Sequence, residues 1–483
     1  MIRAKRDIRP SEWVLGVVLS LLVAAALVYG VALGITIPAG MAAVVLALLS
    51  VLIATRSLGA CRASLRAGGG FSRLGSAVFG AGIVIAVILP GAQLALGTRK
   101  SRLDDTGFAT QDVGHALTLA FLIFTMALVA FWVGELLAEG RKPGSEGTVT
   151  DRPIGRPWES KATYWFLLVV GVALIIAAIG SDFSQRGRVT GQGVIQLFAY
   201  SAPLAVAVGL LNRHWGSRFL AAVSLGLMTF MVLQGIRTPL LIVAAAAGVR
   251  YVHSTANRQF GPRQILVIVL AIYVGAVMLV SLSAWRGQKN TGGDLGLPEI
   301  IVLAAQDPFV HLQEQGLDTV DGLILATKVD PQLAGATVTD PLKVVTGFIP
   351  HQIWPNKPPW LSAEVTQAYT NFGAGGIFLS GAGYTLIVFR TAAAVPILFL
   401  LLGFFCERIF RRMTQPSIWT ALLVYFLVRW YFAGDAFDAN HVLGLCIVVL
   451  TARGFSALLE LRHRPAVIEP GGQREAYARS TTA

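Results

Sequence analysis

Long apolar runs recur along almost the whole chain and limit what it can fold into more than any other feature. Runs of about 17 to 25 apolar residues are long enough to cross a bilayer as an α-helix. Charged residues make up only 13% of the 483 residues, and the mean hydropathy is +0.66, whereas soluble domains contain about 25% charged residues. The sequence therefore predicts an all-α polytopic membrane protein with twelve spans, near 13–35, 37–55, 75–97, 114–138, 163–180, 192–211, 219–234, 239–253, 264–284, 391–407, 417–432 and 441–459.

The distribution of charge indicates how these spans are oriented. If the N-terminus is cytoplasmic, the segments on its side carry most of the 39 Lys and Arg residues, and the opposite side carries slightly more acids than bases. Cytoplasmic loops of membrane proteins have this basic excess. The net charge of +13 therefore reflects topology, and no nucleic-acid partner is expected. Both termini are predicted to be cytoplasmic, and the first span is expected to remain as an anchor because no small-residue cleavage site follows it.

The spans divide the chain into four parts. Residues 1–284 hold the first nine spans, and residues 285–390 form one large loop on the outer side. Residues 391–460 hold the last three spans, and residues 461–483 form a tail that is expected to be disordered. The three cysteines are far apart and show no metal-binding or redox spacing, so we expect neither a disulfide nor a metal site from them.

Residues 374–389 within the outer loop are the most ambiguous segment. They are apolar enough to cross the membrane, but a crossing would place the arginines that follow residue 407 on the outer side. Four glycines in the segment also weaken a free-standing helix. We therefore expect a re-entrant or interfacial piece, which is tolerated at membrane depth only where protein or a cavity covers its backbone.

The outer loop contains a proline-stiffened segment, FIPHQIWPNKPPW, at residues 348–360. Its four prolines restrict the backbone to an extended form, so the side chains between them are presented rather than packed. His351, Lys357, Trp354 and Trp360 supply a titratable group, a cation and two flat faces that suit a sugar or a phosphate. The alternative is a belt of aromatic and lysine side chains where the loop meets the lipid headgroups.

Arginines from separate spans are predicted to meet at the outer face. Arg237 lies in the short turn GIRTP between two spans, Arg286 follows the ninth span, and Arg429 lies near the end of the eleventh. An arginine at the membrane face is costly unless it is paired or lies in a wet cavity, so these are candidate functional residues. The alternative for Arg237 is a side chain that reaches out to the headgroups.

The last outer turn, FLVRWYFAGDAFDANH, adds two carboxylates and an imidazole to the same face. Asp435, Asp438 and His441 follow Arg429 there. The aspartates are also suited to capping the next helix, and composition does not decide between a cap and a functional carboxylate.

The runs IPHQIWPNKP, NFG and GAGY, with GIRT before them and RWYFAGD after them, resemble the bacterial O-antigen and exopolysaccharide repeat-unit polymerases. These are multispan proteins with one large periplasmic loop. The resemblance covers the span pattern and the region from Gly235 to His441. Two positions depart from the family pattern, because His351 stands where an arginine is usual and Ala382-Gly383 precedes Tyr384 where a glutamate is common.

The resemblance implies a metal-independent, inverting glycosyltransferase of the bacterial inner membrane, with no cofactor. Its donor and acceptor would be glycans on undecaprenyl diphosphate. Fixed guanidinium groups suit the charge that builds on a departing diphosphate, and a sugar hydroxyl needs a base. The implied roles are diphosphate binding by Arg237, Arg286, Arg429 and Lys357, base catalysis by His351, Asp435 or Asp438 with His351 favoured, and sugar stacking by Trp354, Trp360 and Tyr384.

Other functions stay open at this point. An O-antigen ligase would need the same arginines, and a flippase for the lipid-linked unit would share the same substrate. The chain shows no internal repeat and few charges at mid-span, which disfavours a transporter built from duplicated halves. A purely structural membrane protein would leave the polar aromatic segment unexplained. A chain-length regulator and a flippase are the expected protein partners of a polymerase, besides membrane lipids.

Overall fold

The structure is a computed structural model that describes residues 38–95, 113–140, 161–179, 200–212, 238–258, 295–306, 319–329, 336–349, 353–369, 379–432, 434 and 436–462, with isolated residues between 198 and 285. All regular secondary structure in these ranges is helical. In chain order the α-helices are α1 (Ala39–Arg66), α2 (Leu74–Ile83, a π turn Val84–Ile88 and Leu89–Ala95), α3 (Val113–Gly140), α4 (Lys161–Ile179), α5 (Ser201–Asn212), α6 (Thr238–Ser254), α7 (Leu297–Gln306), α8 (Thr319–Lys328), α9 (Lys343–Thr346), α10 (Leu361–Tyr369), α11 (Ser380–Phe389), α12 (Ala394–Arg412), α13 (Ile418–Phe432) and α14 (Ala436–Arg462).

Four helices in the described ranges are long and apolar enough to cross a membrane. The apolar stretches are Ala39–Arg66, Leu74–Leu94, Gly114–Glu139 and Ala439–Leu459, and they coincide with four of the spans expected from the sequence. The helical membrane-protein class is thus confirmed in this coarse form. The number of twelve spans stays a prediction, since 13–35 and most of 219–234 and 264–284 lie outside the described residues.

Two glycines bring α3 and α12 into backbone contact. A Cβ on Gly134 would lie 2.1 Å from the carbonyl oxygen of Leu400, and a Cβ on Gly403 would lie 2.1 Å from that of Phe131. Small residues at a helix contact allow the closest approach of two backbones in an apolar bundle. The pair α3 and α12 therefore forms the most closely packed part of the core.

An aromatic cluster fixes the C-terminal end of α13 in this core. The ring of Tyr431 stacks on Phe79 with ring centroids 3.8 Å apart, and the edge-to-face contact with Phe131 measures 5.4 Å between centroids. Phe399 of α12 lies 6.0 Å from the same tyrosine ring. Aromatic pairs at these separations add to the stabilisation given by burial, so α13 has one fixed position relative to α2, α3 and α12.

Two buried carboxylates hold the N-terminal end of α2, where backbone amides lack partners within the helix. Glu407 of α12 accepts hydrogen bonds from the Ser72 hydroxyl and, at 2.6 Å, from the Arg73 amide. Glu135 of α3 accepts a bond of 3.0 Å from the Ser76 amide. Negative groups are favourable beside the positive end of a helix, so these acids cap α2 from two neighbouring helices.

The ambiguous segment of the outer loop is described from residue 379 onward. Its helix α11 has ten residues, and its side chains are mostly buried against α8 and α13. A ten-residue helix is about 15 Å long, roughly half of a hydrocarbon core of about 30 Å. Gly434, with φ +39°, packs against Ser380 and Gly381 so closely that a Cβ would lie 1.9 Å from the Gly381 amide nitrogen. The re-entrant interpretation stays a prediction.

Candidate functional site

The described residues include five of the ten site residues expected from the sequence. These five are Arg429, Lys357, Trp354, Trp360 and Tyr384. Asp438 lies in α14, but its side chain is not described. The remaining four, His351, Arg237, Arg286 and Asp435, lie outside the described residues.

Arg429 is half-buried near the end of α13, among side chains from two other parts of the chain. Its guanidinium lies close enough to act electrostatically on Tyr200, which precedes α5, and on His441 of α14. The rings of Tyr200 and His441 meet edge to face with centroids 4.9 Å apart, and Tyr425 lies 6.4 Å from the same imidazole. We call Arg429, His441, Tyr200 and Tyr425 the arginine cluster.

The N-terminal end of α6 borders the arginine cluster. The Tyr200 side chain lies beside Thr238, the first residue of α6. Arg237 precedes Thr238 directly in the sequence, within the GIRTP turn. The structure thus brings α5, α6, α13 and α14 together at this position. The predicted meeting of Arg237 and Arg286 with Arg429 stays a prediction, because the first two lie outside the described residues.

A crevice of about 430 Å³ lies along α6, and Tyr425 of the arginine cluster is one of its lining residues. Its wall on α6 extends from Leu241 to Val252, a length of about 16 Å, and small residues such as Ala244 and Gly248 keep it open. α1, α2 and α13 supply the other walls, and Val428, the neighbour of Arg429, lines it too. Thr55 and Tyr425 carry the two hydroxyl groups in an otherwise aliphatic lining.

The proline-stiffened segment is tied to the loop that precedes it. The Lys357 ammonium donates hydrogen bonds to the carbonyl oxygens of Gly347, at 2.6 Å, and Ile349, at 3.3 Å. It also lies 5.6 Å from the centroid of the Trp360 ring, a cation–π distance. Burial lowers the pKa of Lys357 from its usual value. In this structure the Lys357 side chain therefore connects two parts of the loop through its hydrogen bonds. Its predicted binding of diphosphate stays a prediction.

The three aromatic residues expected to stack on sugars differ in exposure. The Trp354 side chain is 37% exposed, and Trp360 is half-buried against the core. Tyr384 is 2% exposed, and its ring packs edge to face on Trp430 at 5.6 Å. A sugar cannot reach a ring face in that position, so this conformation disfavours the expected stacking role of Tyr384, which stays a prediction. Gly381 and Gly383 precede Tyr384 on the same buried helix and allow close packing, since a Cβ on Gly381 would lie 2.7 Å from the carbonyl oxygen of Trp430.

Neither Tyr200 nor the crevice along α6 was predicted from the sequence. Tyr200 stands in an apolar run with no motif around it, so only its three-dimensional contact with His441 and Thr238 marks it. The repeated small residues of α6 were the available signal for the crevice, but small residues also serve ordinary helix packing. Comparison of the chain with protein-family models, with curated protein sequences and with solved structures found no match.

Proposed function

We propose that this protein is an inverting glycosyltransferase that joins undecaprenyl-diphosphate-linked oligosaccharide units into a surface polysaccharide at the outer face of the bacterial inner membrane. The observation that carries the proposal is that the arginine cluster adjoins an apolar crevice, which is lined by Tyr425 of the cluster and by Val428, the neighbour of Arg429. A lipid diphosphate has the same two parts, a charged group and a long hydrocarbon chain. Arg429 meets the first requirement, and the lining of the crevice meets the second.

Arg429 would stabilise the departing diphosphate. As the acceptor hydroxyl attacks the anomeric carbon, the bond from that carbon to the diphosphate oxygen breaks and its electron pair passes to the diphosphate. A guanidinium offers a planar fork of donors that matches phosphate oxygens. Because Arg429 is half-buried in a packed part of the protein, little reorganisation would be needed as the charge develops. Arg237 and Arg286 remain proposed partners in this role.

The proton of the acceptor hydroxyl must pass to a base within hydrogen-bond reach. His351 remains the first choice, with Asp435 and Asp438 as orienting groups or as the alternative base. His441 lies within the arginine cluster, between Tyr200 and Tyr425, and we assign to it the positioning of Arg429 and Tyr200. Trp354, which is partly exposed, remains proposed for contact with a sugar face.

The lipid-linked glycans of a deletion strain test this function. A polymerase defect leaves a single repeat unit on the carrier, because units are made and delivered but not joined. Accumulation of full-length polymer on the carrier would instead indicate a ligase and would contradict the proposal. Restoration of long polymer by the intact protein, but not by an Arg429→Lys variant present at the same level, would connect the defect to the arginine cluster.

A further inference from the structure

A short segment of the outer loop is arranged with its polar groups inward and its apolar groups outward. Five aliphatic side chains recur at nearly helical spacing, and they are between 36% and 74% exposed. We call them the aliphatic patch: Val338, Leu342, Val345, Ile349 and Ile353. Segments that face water have the opposite arrangement, so another apolar phase must cover this face.

The polar contacts of the segment fix this orientation. Asp340 is 1% exposed and accepts a 2.7 Å hydrogen bond from the amide of Thr337. Lys343 forms an ion pair with Asp340 and donates a 2.8 Å bond to the carbonyl of Pro359. These groups lie on the protein side, so the patch cannot turn inward without breaking them.

A third contact indicates the depth at which the segment lies along the membrane normal. The side-chain amide of Asn440 donates a 2.7 Å hydrogen bond to the carbonyl of Val344. Asn440 is the second residue of the apolar stretch Ala439–Leu459, whose 21 residues extend about 30 Å, the thickness of a hydrocarbon core. The start of that stretch therefore lies where hydrocarbon meets headgroups, and the aliphatic patch lies at the same level.

We infer that the aliphatic patch inserts into the lipid leaflet on the loop side of the membrane, at the boundary between acyl chains and headgroups. The inserted patch anchors the start of the proline-stiffened segment to the membrane surface. This anchorage does not depend on the chemistry proposed above.

Fluorescence quenching in lipid nanodiscs tests the insertion. The full chain with Cys446→Ser, carrying either Val345→Cys or Asn356→Cys, is labelled with bimane and placed at one copy per disc. Cys61 and Cys406 are buried, and exposed Asn356 is the polar control in the same loop. We expect lipids with a nitroxide at acyl carbon 5 to quench the label at residue 345 at least about threefold more than the label at residue 356. Iodide ions in the water should quench the label at residue 356 more than the label at residue 345.

Other outcomes would overturn the inference. Equal iodide quenching at both positions, without nitroxide quenching at residue 345, would place the patch in water. Protection from both quenchers in single-copy discs would mean that another part of this chain covers the patch. Quenching by lipid only in two-copy discs would make the contact a property of a dimer. If the Val345→Cys protein does not fold, Leu342→Cys replaces it, because Leu342 is 63% exposed on the same face.

Discussion

Arg429 is the residue on which the proposed chemistry depends most. An Arg429→Lys variant keeps the charge but loses the forked donors, which matters for a phosphate group. Loss of one charge-assisted hydrogen bond costs about 1.5–3 kcal/mol, so we expect turnover to fall by about 10- to 100-fold. The matched control is Arg408→Lys, since Arg408 is exposed and rests over the Phe404 ring at 4.8 Å. Equal activity of both variants in a purified assay would contradict the role of Arg429.

A second prediction concerns the role of Lys357 in holding the outer loop together. Replacing it with methionine keeps the length of the side chain but removes its hydrogen bonds to Gly347 and Ile349. Each lost bond is worth roughly 1 kcal/mol, so residues 347–360 should open more often. Amide hydrogen exchange should become faster there and stay unchanged in α12. Unchanged exchange in the loop would show that Lys357 does not hold the segment in place.

At the scale of the helices, we predict that filling the crevice along α6 weakens binding of the polyprenyl carrier. A Cβ added to Gly248 meets no atom within 4 Å, so Gly248→Leu fills the crevice without displacing the bundle. Displacement of two methylene groups of a bound chain costs about 1.6 kcal/mol, and we expect an affinity for the polyprenyl carrier about tenfold weaker. Gly454→Leu on α14 is the control, because Gly454 is also exposed with open space around it. Equal binding by the two variants would show that the crevice does not hold the lipid.

The contact between α12 and the start of α2 carries a prediction about stability. Glu407→Leu leaves the Ser72 hydroxyl and the Arg73 amide without their acceptor, and a buried donor without a partner costs about 1–3 kcal/mol. We expect a clearly lower midpoint of thermal unfolding in detergent. Glu299→Leu is the control, because exposed Glu299 also accepts a hydrogen bond of 2.9 Å from a backbone amide, that of Gly296, and water can replace this acceptor, so the midpoint should fall much less. The reverse order of the two midpoints would contradict the capping role of Glu407.

The orientation of the whole molecule in the membrane is predicted from its charge distribution and can be tested by labelling. In cells, a cysteine at exposed Asn356 should react with a membrane-impermeant reagent, whereas cysteines at Gly155 and Arg412 should not. Reaction at residue 412 would mean that 374–389 is a true span and would invert the helices that follow.

The sequence predicted those features of the whole molecule that depend on local composition. The spans at α1, α2, α3 and α14 could be located because a helix in lipid must be long and apolar. The convergence of Arg237 and Arg286 with Arg429, which the span ends predict, stays a prediction, because the first two lie outside the described residues. The contact of Tyr200 with His441 and the burial of Tyr384 could not, because they depend on how helices rotate about their axes. In an apolar bundle, small residues and polar contacts set that rotation, and their sequence pattern is weak.

The proposed polymerisation is tested most directly by the purified protein in vesicles that contain one defined lipid-linked repeat unit. We predict that products of two, three and more units appear on the lipid carrier, with release of undecaprenyl diphosphate for each bond formed. Their rate of formation should fall by about 10- to 100-fold with Arg429→Lys and stay unchanged with Arg408→Lys. Transfer of the single unit to an acceptor other than the carrier, or no joining of units by a folded protein that binds the carrier, would contradict the proposal.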